Sequence, residues 1–150
     1  MSLKVQKISI VASLVIAMGG TLTFLMTWRN IGFADHFMGA WLSSFALCVL
    51  CIAPIGGILS YLVHHLVNAI LSRLSSMQRN IVFGLIMAII MESVMAVVTT
   101  INLHGFLERG AFLNSWTTTL MSALPAGIVF SILMSIVIKP KLTAFWAKTA

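Results

Sequence analysis

Acidic side chains are almost missing. The chain has only Asp35, Glu92 and Glu108, and residues of either charge make up 8% of it. A soluble domain is about a quarter charged, so a soluble fold of 150 residues would lack the polar groups to cover its surface. Three scattered acids also supply hydrolytic chemistry poorly, and the sequence has no Gly-rich phosphate loop, no His–Asp–Ser constellation and no paired carboxylate. Cysteine is confined to Cys48 and Cys51. A structural zinc site would need two more ligands at a recognised spacing, so neither a metal nor a cofactor is expected.

What is present is apolar: 60% of the residues are hydrophobic, and the mean hydropathy is +1.08. Lipid is the natural solvent for such a surface. The net charge of +6 and pI near 10 do not point to nucleic acid, because the cations sit at the ends of apolar runs and form no patch interleaved with aromatics. They read as topology determinants and as contacts for anionic lipid.

Four segments match the ~20 residues that a bilayer crossing requires. They are Ile8–Trp28, Trp41–Val63, Ile81–Ile101 and Trp116–Ile138. The first follows Lys4 and Lys7 as a signal peptide would, but it is too long for a signal core of ~7–15 residues, and Ala17-Met18-Gly19 is a poor cleavage site. Trp28, Trp41 and Trp116 fall at span ends, where indoles prefer the headgroup region. Beyond the second span, Leu66–Leu74 stays apolar and is expected to continue the helix, with His64, His65 and Arg73 facing water. One side would hold Lys4, Lys7, Arg73, Arg79, Lys139, Lys141 and Lys148, and the other only Arg29 and Arg109. This asymmetry places both termini in the cytoplasm, with the chain as a multi-pass protein of the inner (plasma) membrane.

Small or polar residues recur at four-residue spacing in every span, interrupted only by Ile52: Ser9, Ser13, Ala17 and Thr21; Ala40, Ser44, Cys48, Gly56, Ser60 and His64; Gly84, Ala88, Glu92, Ala96 and Thr100; Ser115, Thr119, Ala123, Gly127, Ser131 and Ser135. Such stripes let helices approach closely in lipid, so the expected fold is an all-α bundle packed on small residues. Pro54 and Pro125 lie near mid-span and would leave the carbonyls of Leu50 and Met121 without their helical donors. Each reads as a packing kink, or alternatively as a hinge or site-lining break.

The chain also reads as one two-helix unit written twice. Asn30, Gly32 and Phe33 align with Asn102, Gly105 and Phe106; Thr27 then meets Thr99, Ser44 meets Ser115, Pro54 meets Pro125, Gly56 meets Gly127 and Ser60 meets Ser131. Two units, 8–66 and 79–142, would form a single membrane domain over residues 1–150. Each unit crosses twice, so both share one orientation and the repeat axis runs along the membrane normal.

An apolar helix ending in Thr-x-x-Asn-x-Gly-Phe, then an aromatic, a Ser, an aromatic, a mid-helix Pro and a basic exit, resembles a family of small bacterial membrane proteins known as domain of unknown function 2798. In the first half the resemblance rests on Thr27, Asn30, Gly32, Phe33, Trp41, Leu42, Phe45 and Pro54. In the second it rests on Thr99, Asn102, Gly105, Phe106, Trp116 and Pro125. His64-His65 departs from it, standing where Arg is expected. The resemblance implies a two-helix membrane unit and brings no activity.

Glu92 is the only charged residue well inside a span. A charged carboxylate there costs at least about 2.5–3.5 kcal/mol, so it must be protonated, paired or hydrated. No Lys or Arg lies inside another span; the hydroxyls of Thr21, Thr23, Ser93, Thr119 and Ser122 are the expected partners. Two readings stand: a proton or cation site, and a carboxyl that glues helices through hydrogen bonds. The aligned position in the first unit is Gly20. Asn30 and Asn102 end their spans just before a Gly and read as helix C-terminal signals, with a paired Asn site at one mouth as the sharper alternative. Met87, Met91 and Met95 form an i, i+4, i+8 ladder beside Glu92, more typical of adaptable packing than of copper(I) binding. Cys48 and Cys51 form a C-x-x-C inside an apolar helix, which lacks the second pair that a thiol relay needs and reads as structural. The expected role is therefore a non-enzymatic scaffold or accessory subunit. The alternative is a small homo-oligomeric transporter or channel with its ion site at Glu92, and a membrane thiol redox protein ranks behind both. The bilayer is the certain partner, nucleic acid is excluded, and the ligand is open.

Overall fold

The computed structural model describes residues 3–148, the side chains of Leu3 and Lys148 excepted, so the Lys148 cation counted above lies outside the described side chains. The helices are α1 (Leu3–Ile31), α2 (Phe37–Ile70), α3 (Ser76–His104), α4 (Arg109–Leu133) and α5 (Lys139–Lys148). A π-helical turn, Met134–Ile138, joins α4 to α5 without a break. Four helical stretches are long and apolar enough to cross a membrane, as expected of a chain that must satisfy its backbone internally in lipid. The protein is a multi-pass, all-α membrane protein.

Local chemistry sets the ends. Gly32 and Gly105 have φ of 62° and 69°, and their N–H groups bond to the carbonyls of Trp28 and Ile101, each at 2.8 Å. A left-handed residue closes a helix in this way, and glycine adopts it without steric cost. α3 opens on a capping box: Gln78 N donates to Ser75 Oγ and Ser75 N donates to Gln78 Oε1. α2 runs past the expected span and stops at Ile70, leaving His64, His65 and Arg73 exposed as anticipated.

α3 is the most enclosed helix. It packs along both α2 and α4, while α1 lies against α2, α4 and, less extensively, α3; α2 and α4 do not pack on each other. The apolar core gathers Leu22, Met26, Cys48, Met95, Ala96, Leu120 and Ala123. Small residues mediate the approaches of α3 and α4: a β-carbon on Gly84 would stand 2.6 Å from Ser131 Oγ and 2.9 Å from Ser135 Oγ.

Three expectations are corrected. The α1 stripe of Ser9, Ser13, Ala17 and Thr21 faces outward. Ser13 and Thr21 donate to the carbonyls four residues back, Ser9 O and Ala17 O, so these hydroxyls satisfy themselves on their own helix and can meet lipid. The inward face of α1 is instead Gly20, Leu22, Thr23, Met26 and Thr27. Trp41 and Trp116, near the starts of α2 and α4, also act as struts between helices; their indoles donate to Gly20 O at 3.0 Å and Ser93 O at 3.2 Å. Pro54 and Pro125 lie on exposed faces, inside helices that continue past them, so neither lines an internal site. Finally, the fourth span is not uniformly α-helical. Pro140 offers no N–H to Ile136 and its ring crowds that carbonyl; just before it, Lys139 N bonds back five residues to Met134 O, the wide turn of a π-bulge.

Candidate functional site

Glu92 sits midway along α3 and is 2% exposed. Its carboxyl is pressed against Gly127 of α4, where a β-carbon would stand 2.8 Å from Glu92 Cδ. None of the hydroxyls expected as partners reaches it. Thr21 faces outward. Thr23 donates to Gly19 O and Gly20 O, Ser93 to Ile89 O, Thr119 to Ser115 O and Ser122 to Thr119 O. Each hydroxyl spends its proton on a main-chain carbonyl within its own helix, and Glu92 Oε2 is left buried without a hydrogen-bond partner. Such an atom normally signals an unseen occupant or a functional role.

The carboxyl lines a cavity of about 300 Å³ between α1, α3 and α4. Five of the ten methionines share this lining: Met18, Met87, Met91, Met95 and Met134. The sequence ladder on α3 is thus completed from α1 and from the π-helical turn. At the far end of the same cavity stand Asn80, Ser135 and Lys139. Lys139 Nζ donates to Asn80 Oδ1 at 3.0 Å and Ser135 Oγ to Asn80 O at 3.3 Å. Ser135 arrives here as the last member of the expected α4 stripe, whereas nothing in the sequence pairs Asn80 with Lys139.

Away from the cavity, the ends of α1 and α3 carry a polar belt. Asn30 Nδ2 donates to Met26 O and to Thr119 Oγ1, both at 2.7 Å; its Oδ1 lies 3.0 Å from His104 Nε2. Asn102 Nδ2 donates to Ser43 Oγ and Ser44 Oγ, both at 2.9 Å. The two asparagines therefore end helices, as read, and also tie α1 to α4 and α3 to α2. They share no site with Glu92. Thr23, Thr27, Thr99, Thr100 and Thr119 are fully buried near this belt. Cys48 points into the core, its thiol 3.8 Å from Met95 O and 3.9 Å from Thr99 Oγ1; both cysteines are free.

The helix-ending Asn30, the left-handed Gly32 and the inward Trp41 of α1 and α2 are the pattern on which the family resemblance rested. Residues 4–71 match the family model Domain of unknown function (DUF2798). The match takes in α1 and α2 and carries no activity with it. Of the cavity wall, Met18 and Leu22 fall within the DUF2798 segment, whereas Glu92 and the rest of the lining lie beyond it. No curated protein and no solved structure matches the chain.

Proposed function

We propose that the chain is a small, non-enzymatic carrier of the bacterial inner membrane that takes up a proton or a cation at Glu92. The observation behind this reading is the buried carboxyl oxygen that has no partner, at the inner end of a cavity. A carboxyl acting as glue requires hydrogen bonds to the neighbouring helix, and Glu92 makes none among the described residues. An acid kept in that position at a cost in stability is the mark of an intramembrane ion site.

The carrier is proposed as two parallel two-helix units, 8–66 and 79–142, with both termini in the cytoplasm. The crossed ties Asn30–Thr119 and Asn102–Ser44 support the repeat, since each links the first helix of one unit to the second helix of the other. The left-handed Gly32 and Gly105 support it too. A fourfold bundle encloses little volume, so a homo-oligomer would complete any path.

The test is proton and sodium flux in proteoliposomes, wild type against Glu92→Gln. The amide cannot release a proton, so flux should fall to the level of empty vesicles. Equal flux from both proteins, or none from a folded wild type, would remove the carrier reading. A second reading has its own support. The belt of Asn30, Asn102 and buried threonines ties the helices together at the end opposite Lys139, as suits an accessory subunit that binds without transporting. Ligand binding with no flux would favour it.

A further inference from the structure

We propose that the Glu92 cavity binds a lipophilic organic monocation, its charge at the carboxylate and its apolar body among the methionines; this rests on the reading of Glu92 as a cation site. Charge complementarity is the first ground. Among the described residues, Glu92 and Lys139 are the only charged side chains lining the cavity, and they stand at opposite ends of it. Asn80, which holds the Lys139 ammonium, lies about 18 Å from Glu92 at the helical rise per residue. Lys139 therefore cannot neutralise the acid. Of the helices around Glu92, α1 and α4 carry no titratable side chain at its level, and α2 brings only the thiols of Cys48 and Cys51.

The composition of the wall selects the kind of cation. A hard metal ion takes about six or more oxygen ligands, whereas here one carboxyl is surrounded by thioethers, and the hydroxyls of Ser131 and Ser135 lie roughly one and two helical turns away toward Lys139. A proton alone needs no cavity. Methionine side chains are flexible and polarizable, and they line surfaces that accept varied apolar shapes. A cavity of about 300 Å³ is at the small end for a molecular ligand, matching a body the size of one aromatic ring. Because a buried carboxyl must be neutralised by something, proton and organic cation exclude each other at Glu92, and charge balance releases any proton held there when the cation enters.

The probe is benzyltrimethylammonium, a permanent cation, beside neopentylbenzene, its neutral isostere. Titration of the purified full chain in detergent should show the cation binding, with affinity lower by about tenfold or more in Glu92→Gln. The neutral isostere should be indifferent to that substitution. Wild-type protein supplies a second readout: a hydrophobic carbodiimide should label Glu92, and the cation should block labelling where the isostere does not. No binding by folded wild type, equal binding by Glu92→Gln, unprotected labelling, or uptake of silver(I) in place of the organic cation would each overturn the proposal. Binding without flux in proteoliposomes would leave this inference standing and remove the carrier reading. Proton or sodium flux without binding of the cation would do the reverse.

Discussion

Glu92 offers the cleanest test at the scale of one residue. It makes no hydrogen bond among the described residues, so its removal breaks nothing and ends a desolvation cost. Glu92→Leu should melt at or above the wild-type temperature in detergent, and Glu92→Gln close to it; a fall of several degrees in the leucine variant would show a partnered carboxyl. Asn30 behaves oppositely. Asn30→Ala loses its bond to Thr119 and its contact with His104, which should cost about 1 kcal/mol on the scale of interhelical bonds in membranes, read as a lower denaturation midpoint. Glu92 was legible in the sequence as the one charge deep in a span. Its isolation was not, because whether a serine or threonine turns back to its own carbonyl depends on the facing of its helix. Gly20, the aligned position, has a physical account: the Trp41 indole lies over it, donating to its carbonyl and standing 3.9 Å from where a β-carbon would be.

At the scale of the helix, close approach is concentrated where α3 meets α4. Gly84→Leu would drive a side chain into Ser131 and Ser135 and should cost several kcal/mol or prevent folding, as overpacking does at its worst. Leu133 is 45% exposed, so Leu133→Ala should change stability little. Gly57 meets nothing within 4 Å, and Gly57→Ala should stabilise by up to about 1 kcal/mol through helix propensity. Similar melting temperatures for all three variants would refute packing by small residues. Hydropathy located all four spans, and spacing identified the inward stripes of α3 and α4. The same spacing misled on α1, where small residues face lipid, because a four-residue period marks a face without saying which way it turns. Tryptophan at a span end likewise has two uses, at the headgroups or across a helix pair, and composition does not separate them.

For the whole molecule, the proposed orientation rests on the cations. Reporter fusions in the Asp35 and Glu108 loops should lie on the opposite side of the membrane from one after Lys148; the same side for all three would undo the proposed topology. The short turn between Ile70 and Ser76 is the chain's only covalent link between its two hairpins. The interactions that hold those hairpins together do not pass through that turn: α3 lies along α2 as it does along α4, and Asn30 and Asn102 each reach across to the other hairpin. We therefore expect the backbone at Ser72 to be dispensable once both hairpins are inserted. Two separate polypeptides cut there and made in one cell should find each other and co-purify, and Asn30→Ala together with Asn102→Ala should weaken that pairing. If the two pieces co-purify, the chain behaves as two partners held by a tether that their association does not need.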